Sequence, residues 1–218
     1  MKIAGIDEAG RGPCLGPLVI CAAVMEEKEL DKLIDIEVKD SKLMSPLQRE
    51  AMFEKIKKIL KKYEIIIIHP SEIDDAVKKK NKLNLNWLEA EKSAGLINSL
   101  KPDKAIMDCP SPNIPAFSAY IKKRLNNPKI IIQSEHKADL NYPIVSAASV
   151  IAKVTRDREI QKIQAKIKEP IGSGYPADPI TQAFLKKNYK KYPELFRKSW
   201  ACYKKLSEGR KQKKLGEF

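Results

Sequence analysis

Histidine is scarce in this 218-residue chain, at two residues, and the four cysteines, Cys14, Cys21, Cys109 and Cys202, include no Cys-x-x-Cys pair. Neither residue type offers the spacing of a zinc cage, so the thiols are expected to be free in a reducing, cytoplasmic setting. Long apolar runs are missing as well. The longest, Leu15 to Met25 and Ile65 to Ile68, fall short of the roughly 20 residues a membrane-spanning helix needs. Asp7 and Glu8 break the first hydrophobic stretch at once, so the start of the chain lacks the pattern of a secretory signal. A soluble protein without a membrane partner is expected. No internal repeat is visible, and low-complexity sequence is confined to Lys78 to Lys82 and a basic tail.

What is abundant is positive charge. Forty-two Lys and Arg against 28 Asp and Glu give a formal charge of +14, a field that attracts polyanions such as nucleic acid. A Lys-rich solvated surface of the kind found in proteins of hot environments accounts for the same excess, so the charge alone names no ligand. With 43% apolar residues the length suits one sizeable core and a small appended unit.

Lys2 to Ile6 and Leu18 to Met25 are predicted to be paired strands, split by a Gly-Arg-Gly-Pro turn. Ile65 to Ile68, Lys104 to Met107 and Lys129 to Gln133 add three more. Ser45-Pro46-Leu47-Gln48 carries a cap, a proline at the first helical position and a Gln three residues beyond the cap, which predicts a helix. Leu85 to Leu100, Ile114 to Leu125 and Tyr142 to Lys168 also have helical patterns, and the order predicts an α/β layer structure. Two further helices, Ile180 to Tyr189 and Pro193 to Leu206, follow a turn-rich segment at 172–179. On Tyr142 to Lys168, Ser146, Ser149, Lys153 and Arg156 recur at intervals of three and four. They line up either as a phosphate-contacting face or as an ordinary solvated one.

Asp7 and Glu8, at the end of an apolar strand, are the first candidates for chemistry. Crowded carboxylates repel one another unless a cation or proton neutralises them, and Asp108 and Asp139 would complete a hard-oxygen site for Mg²⁺ or Mn²⁺. Successive strand side chains point to opposite faces, so both Asp7 and Glu8 reach one ion only if the strand ends or twists there. Read singly, Asp139 is as well explained as a helix N-cap and Asp108 as the start of a turn. A polyanion-binding protein with structural acids, and a metal-dependent nuclease acting on DNA alone, remain alternatives on these residues.

Longer blocks narrow the field. Asp7-Glu8-Ala9-Gly10-Arg11-Gly12-Pro13, Asp40-Ser41-Lys42, Asp108, Lys137-Ala138-Asp139, the run from Ser146 to Asp157 and Gly172-Ser173-Gly174-Tyr175-Pro176 occur in this order. Together they closely resemble ribonuclease HII, the type 2 ribonuclease H family, in its archaeal form. The resemblance implies a ribonuclease H-like fold: a central mixed five-stranded sheet flanked by helices, spanning residues 1–175, with a helical extension at 176–211. It implies an endonuclease, acting as a monomer on RNA/DNA hybrids or on ribonucleotides embedded in duplex DNA, that leaves 3′-hydroxyl and 5′-phosphate ends. Asp7, Glu8, Asp108 and Asp139 would hold two Mg²⁺ or Mn²⁺ ions. Gly10, Arg11 and Gly12 would sense the ribose 2′-hydroxyl with their main chain, and Tyr175 would pack on the neighbouring sugar. Lys42, Ser146, Ser149 and Lys153 would contact backbone phosphates. In the tail at 212–218, Gln212, Leu215 and Phe218 have the form of a sliding-clamp binding peptide.

Overall fold

In the computed structural model, residues 1–38, 41, 44–78 and 83–213 are described, with side chains to residue 208. The candidate residues Lys42, Leu215 and Phe218, and the side chain of Gln212, lie outside them. Five strands form one sheet in the order β3-β2-β1-β4-β5, with β1 at Lys2–Ala9, β2 at Leu18–Glu26, β3 at Lys62–Ile68, β4 at Lys104–Asp108 and β5 at Ile131–Glu135. β1 runs antiparallel to β2 and parallel to β4, and β4 runs parallel to β5. The sheet is therefore mixed, as expected, with β1 at its centre.

The chain divides into two compact units that interleave in sequence. The first comprises Met1–Ala9, Val19–Ile67 and Leu85–Arg156, and the second Gly10–Leu18, Ile68–Asn84 and Asp157–Phe218. The first unit holds the sheet with helices α1 (Asp31–Asp35), α2 (Pro46–Ile59), α4 (Leu85–Leu100), α5 (Ile114–Lys122) and α6 (Ala138–Asn141). The long helix α7, Pro143–Ile167, begins in the first unit and ends in the second. The second adds α3 (Pro70–Val77), α8 (Pro179–Asn188) and α9 (Ala201–Lys213). The expected capping box at Ser45 is present: the Ser45 hydroxyl accepts from Gln48 N–H and the Gln48 side chain accepts from Ser45 N–H.

The apolar core of the first unit joins Ile3, Val19, Cys21, Met25, Phe53 and Ile106 to Ile144, Val145, Ala148 and Ile151 of α7. Gly5 decides how closely α7 lies on β1. A Cβ there would sit 2.3 Å from the Ile144 carbonyl oxygen and 2.6 Å from the Val145 nitrogen. Helix backbone thus rests on strand backbone, where no other residue leaves room. The second unit has its own core of Cys14, Leu15, Ile160, Ile171, Phe184, Leu185 and Phe196. No helix among the described residues is long and apolar enough to cross a membrane.

Several elements differ from the sequence reading, among them short helices α1 and α6, which it did not contain, and β3, which starts at Lys62 instead of Ile65. The fifth strand begins at Ile131 rather than Lys129, because the Asn127 side chain accepts the Lys129 N–H at 3.0 Å and turns the chain out of the ladder. The last helix begins at Ala201 rather than Pro193. Pro193–Leu195 is a single 3-10 turn, Phe196 is extended and bridges Leu15, and Asp74 captures the Lys198 and Ser199 amides. α3 was not foreseen, although His69-Pro70 places proline at its first position.

Candidate active site

Asp7 and Asp108 lie at the carboxyl ends of neighbouring parallel strands, where open α/β sheets usually bind ligands. The β1–β4 ladder ends at the pair Ile6 and Met107, so Asp7 and Asp108 are the next residue of each strand. β4 and β5 pair as far as Asp108 opposite Glu135, and the chain then turns through His136-Lys137-Ala138-Asp139. Lys137 takes a left-handed conformation at φ 58°, and the Ala138 N–H then donates to Asp108 Oδ1 at 3.1 Å. That turn ties Asp108 to the residue preceding Asp139. His136 fastens it further: its Nδ1 lies 2.8 Å from the Cys109 carbonyl, and since a carbonyl only accepts, Nδ1 carries the proton. Sequence reasoning passed over His136, whose sole signal was its place beside Asp139.

Asp7 is 4% exposed, and its carboxyl is pushed well above the usual carboxylate range. Burial is the largest cause, followed by the charge of Glu8 and, after an opposing bond from Ser149, the charge of Asp108. The Ser149 side chain and the Glu8 N–H, at 2.7 Å, bond to the Asp7 carboxyl and lower it in part. β1 continues in register with β2 through Ala9, so the strand does not end at Glu8; only its β4 edge is released. Glu8 is half-buried and Asp139 is 2% exposed.

The serines of α7 are buried too. Ser146 Oγ donates to the Asp139 carbonyl and lies 3.3 Å from the Tyr142 carbonyl, while Ser149 Oγ is 3.0 Å from Ser41 Oγ. Arg49 in turn donates to the carbonyls of Ser41, at 3.0 Å, and Met44, at 2.5 Å. The face that carries Ser146, Ser149 and Arg156 is therefore interior, with Lys153 half-buried, and the solvated-face reading does not hold. Both serine hydroxyls touch protein groups that support Asp7 and Asp139, which the periodicity could not distinguish from a phosphate-binding face.

In the second unit, Gly12 lies against Tyr175: a Cβ on Gly12 would sit 3.4 Å from the Tyr175 ring. The ring is 42% exposed. The loop that carries it is tied down by Asp178, which accepts from Ser173 N–H at 2.6 Å, Ser173 Oγ at 2.7 Å and Ile180 N–H at 2.9 Å. Those bonds, led by the Ser173 amide, pull the Asp178 carboxyl down to about 2. A depressed carboxylate stabilises the fold above its unfolded value of about 3.9 and loses that contribution as pH falls toward about 2. Asp178→Ala is expected to remove the α8 cap at a loss of about 1 kcal/mol at pH 7. It should also flatten the pH dependence of unfolding between about pH 4 and 2, measured by denaturant titration. An unaltered profile would assign that dependence to other carboxyls.

The acid set is all oxygen and suits hard divalent cations. Among the described residues, no three His, Cys, Asp or Glu side chains are placed to hold one metal ion as a group. Such closure is not required for Mg²⁺, which commonly takes one or two protein carboxylates and completes its shell with water and substrate phosphate. Asp7, desolvated beside two acids, fits a cation ligand better than it fits an isolated carboxylate.

The family model for ribonuclease HII matches residues 4–203. Ribonuclease HII of Pyrococcus horikoshii is 47% identical over 213 residues, 95% of this chain and 94% of that protein. The crystal structure of ribonuclease H2 from the same organism superposes with a TM-score of 0.87 at 46% identity, covering 97% of this chain and all of the other. A structure of a PCNA:RNase HII complex from Archaeoglobus fulgidus matches at TM-score 0.81 and 36% identity, over 92% of this chain and 95% of that one.

Proposed function

This chain belongs to the ribonuclease HII family, nucleases that cleave RNA in RNA/DNA hybrids, and we propose that it also cuts at single ribonucleotides embedded in duplex DNA. The observation that carries the reading is Asp7: a buried carboxyl, raised by burial and by Glu8 and Asp108, at the open end of the central strand. Asp7, Glu8, Asp108 and Asp139 would hold two Mg²⁺ or Mn²⁺ ions. Ions held there would supply the chemistry of phosphodiester hydrolysis, a more nucleophilic water and a neutralised leaving oxygen.

The chain's own groups prepare that chemistry. Ser149 and the Glu8 amide orient the Asp7 carboxyl, and Asp108 is fixed by the Ala138 amide. Gly10, Arg11 and Gly12 follow directly in the chain and would read the 2′-hydroxyl that separates RNA from DNA. Tyr175, flat and half-exposed beside Gly12, would pack on the neighbouring sugar. Lys153 and Lys42 would meet backbone phosphates. The test is incubation with Mg²⁺ or Mn²⁺ and an end-labelled DNA duplex carrying one ribonucleotide. A single cut at the ribonucleotide, with 5′-phosphate and 3′-hydroxyl ends, is expected; an intact duplex beside a cleaved long hybrid would restrict the activity to hybrids.

Tyr175→Ala is expected to lower kcat/KM on the single-ribonucleotide duplex by about 10- to 100-fold, the loss of one stacked contact and its positioning. Tyr175→Phe, which keeps the ring, should retain most of it. Equal rates for all three proteins would remove Tyr175 from the site.

The PCNA:RNase HII complex supports a sliding-clamp partner here, and the peptide pattern of Gln212, Leu215 and Phe218 would engage it. Deleting residues 212–218 should abolish retention on an immobilised archaeal clamp and leave hybrid cleavage intact. Full retention of the truncated protein would shift the contact elsewhere.

A further inference from the structure

We propose that Arg197 is the positioning residue that aims the main chain of the Gly10-Arg11-Gly12 loop, an inference resting on the reading of that loop as the 2′-hydroxyl sensor. Arg197 is fully buried, at 0% exposure. Its guanidinium spends its donors on the loop's carbonyls: Nη2 to Gly10 at 2.5 Å, Nη1 to Arg11 at 2.8 Å, and Nε and Nη2 to Gly16 at 3.2 and 3.1 Å. Trp200 Nε1 takes the Gly12 carbonyl at 3.1 Å, and the Arg197 guanidinium lies 4.9 Å from the Trp200 ring centroid. Two side chains thus hold three successive carbonyls of the motif.

The consequence follows from peptide geometry. No peptide bond among the described residues is cis, so in this loop each N–H points opposite the carbonyl of the residue before it. Carbonyls of Gly10 and Arg11 drawn to the buried guanidinium turn the N–H groups of Arg11 and Gly12 away from it. Arg11 is half-exposed and Gly12 exposed. Gly10, at φ 93°, supplies the left-handed backbone that the turn requires. A lysine at 197 brings one point charge in place of a planar fork and is unable to meet three carbonyls in the same geometry.

Arg197 is itself fixed from both sides. Its own N–H donates to the Cys14 carbonyl at 2.9 Å. Asp74 of α3, 5% exposed, accepts from Lys198 N–H at 2.8 Å, Ser199 N–H at 2.8 Å and Ser199 Oγ at 2.5 Å. The Cys14 N–H donates to the Gly174 carbonyl at 2.8 Å, which carries the alignment to the residue before Tyr175. Arg197 thus joins the Gly10 and Arg11 carbonyls to that of Gly16, and closes the two ends of the 10–16 loop on one guanidinium.

The test compares full-length wild type, Arg197→Lys and Trp200→Phe at a temperature where circular dichroism shows each folded. Affinity is read by fluorescence anisotropy in EDTA for a duplex with one ribonucleotide and for the same duplex with deoxyribose at that position; kcat and KM are read with Mg²⁺. Arg197→Lys is expected to lower the ribose-over-deoxyribose affinity ratio about tenfold and to raise KM. Binding of the all-deoxyribose duplex should stay within about twofold. Trp200→Phe should lower the same ratio about threefold and carries the test if Arg197→Lys does not fold. An unchanged ratio in the folded variants, or equal loss on both duplexes, overturns the proposal. A wild type without ribose preference overturns the reading of the loop beneath it, and shows this before any variant is made.

Discussion

Asp7→Asn is expected to reduce cleavage of an RNA/DNA hybrid by on the order of 10³-fold or more, the scale lost when a group that organises the reacting centre is removed. The same variant should be more stable than wild type in EDTA. Asp7 is buried and faces the charges of Glu8 and Asp108, and both effects hold its carboxyl well above the usual range. A raised carboxyl favours the fold fully only below its unfolded value of about 3.9, and that contribution is lost as pH rises. At neutral pH the folded chain therefore carries a carboxyl that opposes folding, and the neutral amide relieves it. Denaturant unfolding at pH 7.5 in EDTA, paired with a hybrid cleavage assay in Mg²⁺, measures both. An inactive but destabilised variant would make Asp7 a structural acid, and an active one would dismiss it altogether. Gain of stability with loss of activity is the signature of a group kept for chemistry.

The four acids stood out as candidates because residue type and neighbouring sequence are local facts. The blocks around them, long and ordered, pointed to the family that the comparisons then showed. The sheet was legible for the same reason: runs such as Leu18 to Met25 declare themselves by β-branched and small apolar content. Packing was harder. Ser146, Ser149, Lys153 and Arg156 fall on one helical stripe, and a stripe of polar residues has the same period whether it meets solvent, phosphate or a carboxyl. α7 is buried around its first turns, so its amphipathic pattern was no guide to which side faced water.

Arg197 illustrates what sequence hides most completely. It stands in Phe196-Arg197-Lys198-Ser199, a basic stretch near the end of a chain with 42 basic residues, and nothing local marks it as buried. Its carbonyl partners lie 181 to 187 positions earlier. A donor set directed at main-chain oxygens leaves no complementary acid in the sequence for the eye to find. The late start of α9 has the same origin: Asp74, 124 and 125 positions away, accepts the amides of Lys198 and Ser199 and holds that stretch out of a helix.

Gly5→Ala is expected to destabilise the protein by about 3 kcal/mol, at the upper end of what overpacking a core does. The new methyl would lie 2.3 Å from the Ile144 oxygen and 2.4 Å from its carbonyl carbon, where ordinary contact begins at 3.4 Å. Both obstructing atoms are main chain, so no rotamer change relieves the clash, and α7 must move off β1 by about 1 Å (3.4 less 2.3). Ser149 travels with α7, and Ser146 holds the Asp139 carbonyl from the same helix. A shift of this size at a catalytic centre costs about 10²-fold in rate even in molecules that remain folded. Unfolding midpoints and kcat for the folded fraction, measured together, separate the two effects. Wild-type stability in Gly5→Ala would mean that strand and helix can part freely, and then the close approach of α7 to β1 could not be what holds Ser149 against Asp7.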